Sequence, residues 1–107
     1  MTPVWLDADP GFDDWLTMLM LAAHPRLHWL GISVVAGNAP LDVTLANALR
    51  IRQHYGLRVP VHAGSALPLC GTLETAQRVL GAQGMRSTGA ALPEVAAHAD
   101  SNDAVAR

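Results

Sequence analysis

Cysteine is nearly absent from this chain. The one thiol, Cys70 among 107 residues, excludes an intrachain disulfide, and without a CxxC partner it reads as a small buried or loop residue. Charge is also sparse. Charged residues make up 15% and the net charge is −2, so there is no electrostatic footprint for nucleic acid or an anionic membrane surface. The longest apolar stretch, around Trp15 to Ala23, is too short to span a bilayer. Met1-Thr2-Pro3 leads into a strand-like segment without the basic stretch and long apolar region of a secretory signal, which makes the cytoplasm the expected compartment. His24, His28, His54, His62 and His98 lack the spacing of a zinc pair and are expected to be structural or solvated. Gly81-Ala82-Gln83-Gly84 follows no strand and has the wrong spacing for a dinucleotide fingerprint.

What is present is a globular composition, 50% apolar, in a length that suits one domain with a single core. Trp5, Trp15 and Trp29 read as core or half-buried packing. The pattern alternates strand and helix. Strands are expected near Val4 to Asp7, Leu27 to Val35 and Val59 to Ala63; helices near Asp13 to Ala23, stopped by His24-Pro25, and Leu41 to Tyr55, stopped by Gly56. Alternation of this kind predicts a parallel sheet, whose ligands bind at the carboxyl ends of the strands. Asp7, Asp9 and Asn38 all fall at such ends. From Ser65 to Pro93 the chain is rich in small residues, with one helix expected near Leu73 to Leu80, and reads either as a lid or as a surface connection. The tail from Asp100 to Arg107 reads as an N-cap and the start of a helix.

Four of the nine acidic residues crowd into Asp7-Ala8-Asp9-Pro10-Gly11-Phe12-Asp13-Asp14. Period-two alternation places Asp7 and Asp9 on one side of an extended backbone, Pro10-Gly11 supplies a tight turn, and Asp13 and Asp14 enter the first turn of a helix. As an isolated pair, Asp13 and Asp14 would be ordinary helix N-terminal acids. Four carboxylates so close together repel one another and raise each other's pKa values unless a cation lies among them, and a hard oxygen-liganded ion, Ca²⁺ or Mg²⁺, suits that need. An EF-hand beginning at Asp7 fails, because Gly11 comes one place early and Met18 stands where a bidentate glutamate is required. A phosphatase of the haloacid dehalogenase type is a better rival. It would use Asp7 and Asp9 as nucleophile and acid/base, but its motif continues Gly-Thr, and it leaves Asp13 and Asp14 idle.

The acidic run resembles the hallmark of the inosine-uridine-preferring nucleoside hydrolase family. Ile32-Ser33-Val34-Val35-Ala36-Gly37-Asn38 is similar to that family's second strand ending in Gly-Asn, and Thr44-Leu45-Ala46-Asn47-Ala48, Val59-Pro60-Val61-His62-Ala63-Gly64 and Ala66-Leu67-Pro68-Leu69 follow in the family's order. The resemblance implies an α/β, Rossmann-like parallel sheet with flanking helices, with residues 1–107 as the N-terminal portion of a single nucleoside hydrolase domain. It implies Ca²⁺-dependent hydrolysis of the N-glycosidic bond of a small-molecule ribonucleoside. Asp9 is then the metal ligand and general base, Asp14 a second metal ligand, Asp13 and Asn38 the ribose contacts, and Asp7 a support behind them. Leu80-Gly81 stands where the family often has His-Gly, which implies a polar site residue lost. Family members are much longer, so the remaining ligands are expected outside this chain and a non-catalytic fragment is the alternative. An unpaired sheet edge invites association, so a homo-oligomer is expected.

Overall fold

A computed structural model describes residues 1–85; the expected tail helix, His98 and the end of the Ser65 to Pro93 stretch lie outside the described residues. The described chain runs β1 (Thr2–Ala8), α1 (Phe12–Ala23), β2 (Leu27–Val34), α2 (Leu41–His54), β3 (Val61–Ala63) and α3 (Gln77–Leu80). The strands form one parallel sheet in the order β1-β2-β3. β3 begins two residues later than its apolar pattern predicts and α3 is shorter than its expected helix. Val59 is buried but precedes the ladder, which pairs only Val61 to Ala63 with Ile32 to Val34.

Local chemistry explains the element ends. His24 adopts an extended conformation before Pro25, whose ring disfavours the helical region for the preceding residue. Gly56, at φ +62°, closes α2: its N–H donates to the Gln53 carbonyl at 3.2 Å, and the Leu57 N–H donates to the Arg52 carbonyl at 2.9 Å. This is a Schellman cap, and it satisfies two carbonyls that a helix end otherwise leaves open.

Ala8, Ile32, Val34 and Val61 project from one side of the sheet and pack with Met18 of α1 and Ala48, Leu49 and Ile51 of α2. Both helices therefore cover the same face. The opposite face carries Trp5, Asp7, Ser33 and His62, consistent with period-two alternation. A register shift between Val4 and Trp5 leaves Leu30 as an extra residue and sets Trp5 opposite Gly31. The indole lies across that glycine, stacks on His62 at 5.5 Å between ring centroids, and donates from Nε1 to Ser33 Oγ at 3.1 Å. Among the described residues no helix covers this face, and Trp5 stays 43% exposed, the half-buried rather than the core side of its expectation. Among the described residues no helix is long and apolar enough to cross a membrane.

Candidate functional site

The carboxyl ends of β1 and β2 bring two chain segments into contact. Val35 N–H bonds to the Ala8 carbonyl at 2.9 Å, so the backbone remains paired just beyond both strands. Asp9 follows immediately on β1. Its Oδ2 accepts the Asn38 N–H at 2.8 Å, and Asn38 Nδ2 donates back to the Asp9 carbonyl at 3.0 Å. This reciprocal pair fixes the Asp9 side chain against the β2–α2 connection. Gly37 is required there, because a Cβ at that position would run into the Asp9 carboxylate.

Asp14 joins from the first turn of α1. It reaches back past the start of the helix and accepts the Asp9 N–H through Oδ2 at 3.0 Å, much as an acid in a helix's first turn satisfies a backbone donor ahead of it. Burial pushes the Asp14 carboxyl up to about 6, reinforced by a side-chain hydrogen bond with Asp9 and by the charges of Asp13 and Asp9, while the Asp9 N–H works in the opposite direction. Asp13 is exposed on the same turn, and its carbonyl accepts Thr17 Oγ1 at 3.0 Å. Asp7 is separate: its Oδ2 accepts Ser33 Oγ at 2.6 Å, on the sheet face away from the helices. Of the five expected site residues, Asp9, Asp14 and Asn38 are therefore directly linked, Asp13 adjoins them, and Asp7 bonds sideways to β2.

Three further contacts bring other segments of the chain to the site. Asn47, fully buried on α2, donates through Nδ2 to the Pro10 carbonyl at 2.9 Å and to the Gln83 carbonyl at 2.7 Å. The loop at Gly81 to Gly84 lies on the acidic turn: a Cβ on Gly11 would sit 2.7 Å from the Gly84 carbonyl and 2.8 Å from Asn38 Nδ2. Ala76 N–H donates to the Asn38 carbonyl at 3.1 Å, which fastens the other end of the same segment. In the sequence Asn47 stands only as part of the Thr44 to Ala48 match, with nothing local to tie it to the acidic turn. Cys70 is exposed in the preceding loop, matching the loop half of its expectation.

The donor set suits a hard cation: Asp9 and Asp14 offer oxygen only, and each holds one oxygen on a backbone N–H, which leaves its other oxygen for a ligand. Among the described residues no group of three or more His, Cys, Asp or Glu side chains is placed to hold a metal ion. A cation here would draw its other oxygens from water, substrate or residues beyond the described part. A groove of about 450 Å³ lined by Leu21, Trp29, Leu57 and Arg58 opens at the opposite, amino-terminal end of the strands and touches none of these acids.

Comparison with known proteins gives a consistent picture. The family described as inosine-uridine preferring nucleoside hydrolase matches residues 4–107. The pyrimidine-specific ribonucleoside hydrolase RihB of Escherichia coli (strain HS) is 44% identical over 80 residues, 75% of this chain and 26% of that protein. Among solved structures, an inosine-guanosine nucleoside hydrolase superposes with a TM-score of 0.77 at 26% identity, covering 90% of this chain and 29% of the other. A plant nucleoside hydrolase gives 0.75 at 29% identity, over 88% and 30%. A purine-preferring ribonucleoside hydrolase from Gardnerella vaginalis shares the fold, with a TM-score of 0.83 at 24% identity over 98% of this chain and 34% of its own. The chain spans about a quarter to a third of the length of these relatives.

Proposed function

The chain belongs to the inosine-uridine preferring nucleoside hydrolase family, and from that membership we propose that its acidic turn serves hydrolysis of the N-glycosidic bond of a ribonucleoside. The observation that carries the reading is the hydrogen-bonded trio Asp9, Asp14 and Asn38 at the carboxyl ends of two parallel strands.

Asp9 and Asp14 are the residues that would hold Ca²⁺. When bound, the ion supplies charge that makes a coordinated water more acidic and grips ribose hydroxyls. Asp9 takes the proton of the attacking water as general base, with its carboxylate oriented by the Asn38 N–H. Asp13, exposed beside it, accepts a hydrogen bond from a ribose hydroxyl, and Asn38 positions the ribose or the water. The water oxygen bonds to C1′, the C1′–N bond breaks, and its electron pair leaves with the base, which gains a proton. Negative charge beside the ribose stabilises the oxocarbenium-like transition state. Asp7, bonded through Ser33 to β2 on the far face of the sheet, steadies the end of β1 ahead of the turn. The similar proteins differ in the bases their names give, so the substrate class proposed is the ribonucleoside, without a base.

Reducing-sugar release from uridine and from inosine, with Ca²⁺ or with a chelator, tests the proposal. Ca²⁺-dependent ribose release that disappears in Asp9→Asn is the expected outcome. Phosphate release from a phosphomonoester that depends on Asp7 would replace this reading with a phosphatase.

A further inference from the structure

Asn47 is the buried polar group whose placement the reaction as described does not use. It is fully buried, and its Oδ1 has no hydrogen-bond partner among the described residues. A buried amide oxygen without a partner is unfavourable, so Oδ1 gives no reason for asparagine at this position. What an apolar residue cannot supply is the pair of N–H donors. Both donors reach carbonyls from segments far apart in sequence, Pro10 on one side and Gln83 on the other.

We propose that Asn47 is a positioning residue for the acidic turn, a clamp that seats the Asp9-Pro10-Gly11 turn and the Gln83-Gly84 loop in one frame on α2. The inference rests on the cation- and ribose-binding reading above and adds to it the part that fixes the turn. Holding the Pro10 carbonyl sets the plane of the Pro10–Gly11 peptide, which stands between Asp9 and the helix turn bearing Asp13 and Asp14. Holding the Gln83 carbonyl sets the Gln83–Gly84 peptide, whose next carbonyl would meet a Cβ on Gly11 at 2.7 Å. Gly84 also lies against Asn38, within 3.4 Å of its Cβ measured from the position a Cβ would take. The loop is thereby a wall of the site rather than a loose connection. Aspartate lacks the donors and leucine lacks any polar atom, so each substitution removes both hydrogen bonds, aspartate at nearly unchanged volume and leucine with added bulk.

The test compares Asn47→Asp and Asn47→Leu with Ile51→Val, a change one helical turn away in the core and outside the clamp. Ca²⁺ affinity is measured by calorimetry with the metal alone, and backbone amide shifts are measured by NMR without metal. Expected is a Ca²⁺ dissociation constant at least tenfold weaker in the Asn47 variants, in the 10–100-fold range typical of residues that orient metal ligands. Ile51→Val lowers the melting temperature and leaves the affinity within twofold. Amide resonances of Gly11 and Gly84 move together in each folded Asn47 variant. Wild-type affinity in a folded Asn47 variant, or a shift at only one of the two glycines, overturns the clamp. If the wild type itself binds no Ca²⁺, the metal part of the proposed function fails while the two amide shifts still decide the clamp.

Discussion

Asp9 and Asp14 each hold a backbone N–H with one oxygen, so their carboxylates are oriented before any ligand arrives. Preorganisation of this kind is sensitive to atoms placed close by. Gly37→Ala sets a methyl group against the Asp9 carboxylate. We expect Ca²⁺ at millimolar concentration to raise the wild-type melting temperature by mass action on the folded state, and expect Gly37→Ala and Asp9→Asn each to abolish most of that rise. An equal rise in all three proteins would remove Asp9 from the cation site. Asp14 gives a separate handle through pH. Its folded-state pKa of about 6 lies above the roughly 3.9 of an unfolded aspartate, so its favourable contribution is complete below about pH 4 and is lost as pH rises through 6. In a chelator, the difference in melting temperature between wild type and Asp14→Asn should therefore shift against the wild type from pH 5 to pH 7. A difference that does not change with pH contradicts the burial that raises the Asp14 pKa.

Among the elements, α2 does more than cover the sheet. Thr44, fully buried, donates from Oγ1 to the Val35 carbonyl at 2.9 Å and so fastens the helix to the end of β2, three residues before Asn38. Thr44→Val keeps the volume and leaves that carbonyl without this donor, at a cost of roughly 1–3 kcal/mol. Chemical denaturation should show a lower midpoint with an unchanged slope. An unchanged midpoint would mean that the bond contributes nothing. The alternation of strand and helix was legible in the sequence because hydrophobic period and stop signals such as His24-Pro25 and Gly56 are local. The late start of β3 was not, because pairing with β2 decides which apolar residues join the ladder.

At the scale of the described molecule, α1 and α2 lie on one face of the sheet, and the other presents Trp5, 43% exposed. β1 is also an edge strand among the described residues, with one row of backbone groups open to pairing. Sedimentation velocity should accordingly show a mass that rises with protein concentration. A constant monomer mass up to about 100 μM, well within the range where exposed edges and apolar surface drive association, would contradict this.

The parallel α/β order, the acidic turn after the first strand and Asn38 beyond the second are legible in the residues alone, because each depends on local period, turn chemistry or a contiguous motif. Which acids meet is set by contacts between distant segments. Asp7 and Asp9 stand two apart in sequence, yet Asp7 bonds to Ser33 while Asp9 joins Asn38 and Asp14. The strand ends at Ala8, so the alternation that would have kept the two acids on one side does not govern the residue after it. Asn47 and the Gly81 to Gly84 loop entered the site for the same reason: hydrogen bonds spanning more than thirty residues leave no trace in a local pattern.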